Sequence, residues 1–186
     1  MRVQVTPETF TLVDYSSEVI ADIVNEIGRA LGLPDDLEVR VDVDETTPLG
    51  NSSLVSIDPV VIAVESGALE DAKRPRQLST AGTATVLGLL LARVRDRLDP
   101  SFGDPGPDDD LPKHQFNAWE VYAAGRIVRL GYRAYDDRQR RLYHFRIRHG
   151  FTDVGDAVFE KLWTGDGFTW AEIASMSDEA ASSVAA

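Results

Sequence analysis

The most constraining feature of this sequence is an unbroken apolar run, VLGLLLA, at residues 86–92. We predict a helix from Thr80 to Leu98 around this run, ending just before Pro100. The run is apolar on every side of such a helix, and a helix without a polar face has to be buried. It is much shorter than the roughly 20 apolar residues that span a bilayer. The sequence therefore predicts a buried helix at the centre of the fold.

Upstream of this helix, the pattern of apolar residues predicts one more long helix and a small sheet. Ile20, Val24 and Ile27 recur at helical spacing within residues 17–31, and Ser16 or Ser17 can cap that helix. Strict alternation of apolar and polar residues at positions 37–43 predicts a half-exposed strand. The other predicted elements are a weak strand at residues 9–14, strands at residues 53–57 and 60–64, and a short helix at residues 66–73.

Downstream of the central helix, the sequence predicts a linker followed by helices. Residues 99–112 contain four prolines, two glycines and three consecutive aspartates, which is typical of a solvated linker. The aspartates lack the alternating ligand spacing of an EF-hand, so we prefer a linker to a calcium loop. Helices are predicted at residues 114–130, 152–163 and 169–175, and the chain after Met176 is expected to fray.

Together these elements predict an α+β protein, with a small mixed sheet packed on helices and one buried central helix. The predicted organisation is an α+β core at residues 1–98, the linker at 99–112, a helical segment at 113–176 that packs on the core, and a disordered tail at 177–186. The chain has 186 residues, of which 43% are hydrophobic and 27% charged, as in ordinary globular proteins.

Composition removes several classes of function. The chain has no cysteine, which excludes disulfides, thiolate nucleophiles and metal sites with sulfur ligands. Its three histidines, His114, His144 and His149, are not spaced as a ligand set, so we expect no metal and no cofactor. Neither a signal pattern nor a membrane-spanning run is present, so we expect a cytoplasmic protein with no membrane partner.

Charge is unevenly distributed along the chain. The net charge is −12, yet residues 113–150 hold nine basic and three acidic side chains. Within this stretch, residues 137–149 alternate like a strand at Tyr143, Phe145 and Ile147, whereas Gly150 resembles a helix C-cap. We therefore favour a helix there and keep a strand as the alternative.

This basic stretch is the predicted site of partner contact. Its candidate residues are Arg138, Arg140, Arg141, Arg146 and Arg148. Guanidinium groups pair with carboxylates or phosphates, and exposed aromatic rings can stack on bases. Because the rest of the chain is acidic and repels phosphate backbones, we favour an unknown protein partner or self-association over nucleic acid. A nucleic-acid-binding module built on residues 138–148 is the alternative.

The segment DVDET at residues 42–46 resembles the first motif of haloacid dehalogenase-like phosphatases. This resemblance implies Asp42 as nucleophile, Asp44 as acid/base and a magnesium ion between them. It also implies a later acidic metal motif, for which Asp104 and Asp108 are candidates. In that family the active strand lies in a parallel sheet that is covered on both faces. At residues 37–43, however, apolar and polar residues alternate, which predicts that one face of this strand is exposed to solvent. The phosphatase is therefore an alternative hypothesis.

The order of the predicted elements resembles the layout of minimal zincin-like metallopeptidases. In that family the active helix carries H-E-x-x-H, which binds zinc and activates water. Aligning the apolar start of the central helix places Gly88, Leu89 and Ala92 at the three motif positions. The resemblance thus implies a scaffold that lacks its metal ligands. Our leading hypothesis has no catalytic residue: a non-catalytic protein acting through protein–protein association.

Overall fold

The computed structural model describes residues 1–132 and 138–183 and has an α+β fold. The chain divides into two compact units: an N-terminal unit of residues 1–95 and a C-terminal unit of residues 96–186. Among the described residues, no helix combines the length and the apolar character needed to cross a membrane.

The N-terminal unit contains a four-stranded mixed sheet, a small hairpin and two long helices. The elements in chain order are β1 (Arg2–Thr6), α1 (Ser17–Ala30), β2 (Glu38–Asp44), β3 (Ser52–Ile57), β4 (Val60–Glu65), β5 (Glu70–Asp71), β6 (Arg74–Leu78) and α2 (Thr80–Leu98). The strand order of the sheet is β1-β2-β4-β3. β1, β2 and β4 are parallel, whereas β3 pairs antiparallel with β4 at the edge.

One face of this sheet is buried, whereas the other is mostly open, with Val61 as a buried residue on it. The register aligns Val39, Val41 and Val43 of β2 with Val60, Ile62 and Val64 of β4, and all six are buried. The intervening residues of β2 point the other way, where Glu38, Arg40 and Asp44 are exposed. The half-exposed strand predicted for β2 is thus confirmed, because the period of two separates its apolar side chains from its charged ones.

The two long helices of this unit agree with prediction. Ser16 caps α1 by accepting a hydrogen bond from the Val19 amide, and Ile20, Val24 and Ile27 are buried. In α2, the apolar residues Leu87, Leu90, Leu91 and Val94 are at most 2% exposed. This helix is buried because residues 86–92 are apolar on all sides, so that it has no polar face to expose to solvent.

Two predictions in the N-terminal unit are wrong. The weak strand predicted at residues 9–14 does not form. The first strand is instead β1, in which Val3 and Val5 align with Val39 and Val41 of β2. The short helix predicted at residues 66–73 is only a 3-10 turn, Ser66–Ala68, followed by the β5–β6 hairpin. Pairing partners elsewhere in the chain decide both segments, and local sequence does not contain that information.

The C-terminal unit is helical and is built around aromatic side chains. Its helices are α3 (Lys113–Arg129), α4 (Arg138–His149), α5 (Asp153–Thr164) and α6 (Trp170–Ser182). The largest fully buried side chains of its core are Trp119, Tyr122, Phe145 and Phe159. The helix favoured for residues 137–149 is confirmed for Arg138–His149, and residue 137 lies outside the described residues.

The predicted linker and tail are more ordered than expected. Phe102 lies within residues 99–112, yet it is buried and stacks on Trp119 with ring centroids 5.6 Å apart. Its carbonyl also accepts a hydrogen bond from the Trp170 amide at 2.7 Å. Fraying after Met176 is wrong for residues 177–182, which continue α6 and bury Ser177 and Ala180. Residues 184–186 lie outside the described part.

Candidate interaction surface

Helix α4 is anchored by one buried stripe, Arg141, Phe145 and His149, which recurs every four residues. Phe145 and His149 stack with ring centroids 3.7 Å apart, and Phe145 meets Phe159 of α5 edge-on at 5.7 Å. This packing fixes which side of α4 faces the core. The opposite side therefore faces solvent in a defined orientation.

His149 is a neutral group at the centre of this packing. Its Nδ1 lies 3.0 Å from the Phe145 carbonyl oxygen, and its Nε2 lies 2.9 Å from the Ser177 hydroxyl. A carbonyl only accepts, so Nδ1 donates its proton and Nε2 accepts from Ser177. Burial, the largest influence, lowers the pKa of His149 to about 4. The imidazole is thus a structural connection between α4 and α6.

Helix geometry divides the five candidate arginines into three groups. Arg138 pairs with Glu160 of α5, and Arg146 pairs with Asp156 at 2.7 Å between Nε and Oδ1. The Arg146 hydrogen bond is the main cause that lowers the pKa of the Asp156 carboxyl. Arg141 is buried, whereas Arg140 and Arg148 are exposed.

Exposed apolar side chains accompany these two arginines. Tyr143 and Ile147 are each 55% exposed and Phe151 is 67% exposed, and the rings of Tyr143 and Phe151 meet edge-on at 6.2 Å. We call the set Arg140, Tyr143, Ile147, Arg148 and Phe151 the α4 stripe. The sequence analysis named arginines as the contact residues and missed Ile147 and Phe151. Helical phasing would have found them, because Ile147 is four residues from Tyr143.

A separate cavity lies at the carboxyl ends of the parallel strands of the N-terminal unit. It measures about 460 Å³, and its polar lining comprises Thr6, Asp42, Asp44, Asn51, Ser52, Ser53 and Glu65. Across the open face of the sheet, Thr6, Asp42, Ala63 and Ser53 occupy one row in register. The small Ala63 side chain leaves room in this row. Ligands of parallel sheets commonly bind at this edge.

The carboxylates of this cavity are already engaged locally. Asp42 pairs with Arg40 at 3.0 Å, and Asp44 accepts hydrogen bonds from the hydroxyl and amide of Thr46 at 2.6 and 2.9 Å. The Thr46 bonds lower the pKa of Asp44. Glu65 accepts a hydrogen bond from the Asn51 amide at 3.0 Å. Among residues 1–132 and 138–183, no group of three or more histidines and carboxylates is arranged to hold a metal ion.

The other two phosphatase candidates belong to the C-terminal unit, where each has a local role. Asp104 accepts a hydrogen bond from the Gly106 amide at 2.8 Å, and Asp108 pairs with Arg97 at 2.6 Å. Both interactions order the segment before α3. Aspartate contacts of this kind are typical of turns.

The three positions implied by the zincin-like resemblance lie on α2. Gly88 and Ala92 are buried, and Leu89 is half-buried. None of the three side chains carries a donor atom for a metal. The histidines lie elsewhere: His114 pairs with Asp178 at 2.8 Å, and His149 has the buried role described above.

Comparison with protein-family models, curated proteins and solved structures finds no match for this chain. Functional inference therefore rests on the geometry of the described residues. Within residues 1–132 and 138–183, the cavity of the N-terminal unit and the α4 stripe of the C-terminal unit each offer a surface to another molecule.

Proposed function

We propose that this protein is non-catalytic and acts through protein–protein association, with the α4 stripe as its contact surface. The observation that carries the proposal is the local concentration of exposed apolar side chains. Of the ten large hydrophobic side chains exposed among the described residues, four lie in residues 143–154. Contiguous apolar patches bordered by polar groups are typical of interaction sites. Tyrosine, phenylalanine and arginine are also enriched at such interfaces.

The apolar side chains of this surface can supply part of the free energy of a contact. Burial of the exposed 55–67% of Tyr143, Ile147 and Phe151 would contribute about 1–2 kcal/mol each. Ordering of mobile side chains opposes binding by about 0.5–1.5 kcal/mol for each side chain that is immobilised. The ring contact between Tyr143 and Phe151 and the anchored backbone of α4 reduce this cost. The α4 stripe is thus a partly preorganised surface.

For the N-terminal unit we propose a zincin-like scaffold without metal ligands. Two features support this: the order α1, β2–β4 and α2, and the absence of donor atoms at Gly88, Leu89 and Ala92. Equilibrium dialysis against zinc should yield no stoichiometric metal. A magnesium-dependent phosphatase assay should show equal release by wild type and Asp42→Asn. Stoichiometric zinc, or activity that disappears in Asp42→Asn, would contradict the non-catalytic proposal.

Site-specific photo-crosslinking in the native cells tests the association directly. A photoreactive residue at Ile147 should form discrete protein adducts, because this position lies in the middle of the α4 stripe. Val55 is the matched control, since it is 63% exposed and lies in the N-terminal unit. The adducts at Ile147 should disappear when Arg140 and Arg148 are both changed to glutamate. Absence of adducts at Ile147, or the same adducts from both positions, would reject the proposal.

A further inference from the structure

The cavity of the N-terminal unit has the position and the size of a small-molecule site. It lies at the edge where the parallel strands β1, β2 and β4 end, and its volume is about 460 Å³. Sites for small ligands commonly measure about 300–1,000 Å³, and in sheets with parallel strands they lie at the carboxyl ends of the strands. All of the lining residues fall between Thr6 and Glu65. The cavity is therefore independent of the α4 stripe and of the association proposed for it.

The lining of this cavity selects the charge of its ligand. It contains three carboxylates, those of Asp42, Asp44 and Glu65, and none of the described lining residues is lysine or arginine. Arg40, which pairs with Asp42, compensates one of the three negative charges and leaves a net charge of −2. An anion such as a phosphate ester would be repelled from this cavity, whereas a dication would balance its charge.

Each of the three carboxylates is held in place through one of its two oxygens. The hydrogen bonds of Asp42, Asp44 and Glu65 described above use Oδ2, Oδ1 and Oε2, respectively. A carboxylate offers about four lone-pair sites. Within residues 1–132 and 138–183, no donor occupies the other oxygen of any of the three. The existing bonds therefore orient the carboxylates and leave each of them able to accept from a ligand.

The spacing of these carboxylates indicates two positions for cationic groups. Asp44 and Glu65 are register partners on adjacent strands, which lie about 4.8 Å apart. Asp42 precedes Asp44 by two residues on the same face of β2, about 6.6 Å along the strand. The described carboxylates do not converge as a set of three around a single metal ion. In an extended chain of four methylenes, bonds of about 1.5 Å place the two end nitrogens about 6 Å apart.

We infer that this cavity binds a linear aliphatic diamine with about four methylenes between its ammonium groups. One ammonium group lies between Asp44 and Glu65, and the other lies beside Asp42. The small side chain of Ala63, in register with Asp42, leaves room for the second group, and the hydroxyl of Ser53 in the same row can accept from it. Hydrogen bonds between an ammonium group and a carboxylate are stronger than those between neutral groups.

Isothermal titration calorimetry of the full-length protein with the diamine putrescine tests this inference. Binding should saturate at one molecule per chain, weaken with salt, and fall about tenfold or more in Asp44→Asn/Glu65→Gln, which removes two charges at nearly constant size. The matched control Glu18→Gln/Asp22→Asn removes two charges from exposed positions of α1 and should bind like wild type. Ala63→Met should also abolish binding, because the longer side chain fills the cavity without changing its charge. Butylamine has one ammonium group and should bind about tenfold or more weakly than putrescine.

The alternative results each contradict a specific part of the inference. Absence of saturable putrescine binding by the wild type would overturn it. Equal affinity of the wild type and both cavity variants would also overturn it, since this result would indicate unspecific attraction to an acidic surface. Equal affinity for butylamine would reject recognition at two points. Tighter binding of a lysine-containing peptide would assign the cavity to a side chain of a partner protein, and tighter binding of Mg²⁺ or Ca²⁺ would assign it to a metal ion. Crosslinking at Ile147 does not depend on any of these results.

Discussion

Lowering the pH should destabilise the C-terminal unit through a single buried residue, His149. Its folded-state pKa is about 4, against 6.5 for an ordinary histidine. The unfolded state thus binds the proton more readily, and the unfolding free energy falls as the pH drops through 6.5 towards 4. From these two values, the loss is about 2 kcal/mol between pH 7 and pH 5 and about 3 kcal/mol in full.

Urea unfolding followed by tryptophan fluorescence measures this effect, because Trp119, Trp163 and Trp170 all lie in the unit that contains His149. The control is His149→Gln, whose amide does not titrate. This variant should be less stable at pH 7 but should lose much less stability between pH 7 and pH 5. Asp178 has a lowered pKa, so its contribution is lost only as the pH approaches its ordinary value of 3.8, outside this window. Equal losses in wild type and His149→Gln would refute a buried, neutral histidine.

Two further predictions concern packing in the C-terminal unit. Asp96 accepts two hydrogen bonds from Arg126 at 2.6 Å within the core, so Asp96→Ala should cost about 3–5 kcal/mol in urea unfolding by leaving a buried charge unpaired. The double variant Asp96→Leu/Arg126→Met should recover only part of that loss, because Trp119 Nε1 also donates to Asp96 at 2.7 Å and loses this acceptor; an unchanged loss would contradict this explanation. Gly125→Ala should lower stability by about 1–3 kcal/mol in thermal unfolding, because its Cβ would overlap with a backbone carbonyl of α5. Gly50→Ala, whose Cβ meets open space, should leave the melting temperature unchanged, and equal shifts would count against the close approach.

Helices with strong local signals could be predicted from the sequence. The cap at Ser16 and the spacing of Ile20, Val24 and Ile27 lie within a few residues of one another, so α1 is specified locally. The uniformly apolar run at residues 86–92 similarly required burial of α2. In both helices the information that sets the structure lies within the segment itself.

Other elements depend on partners that are distant in the chain. Within β1, only two valines indicate a strand in the sequence. The strand forms because its backbone pairs with β2. Phe102 lies among prolines, glycines and aspartates that indicate a linker, yet its position against Trp119 makes it part of the core. Local composition describes the average behaviour of a segment, whereas burial of one aromatic ring depends on what packs against it.

The candidate surface shows the same division. By itself, the sequence determined that residues 138–149 carry a dense positive charge and aromatic side chains, since these are properties of composition. Only the tertiary structure decided that Arg146 pairs with Asp156, that Phe145 is buried and that Tyr143 and Ile147 are exposed. The physical reason is that a helix presents several faces of similar chemistry. Which face is buried depends on the complementary surfaces of α3, α5 and α6, which no local pattern of α4 encodes.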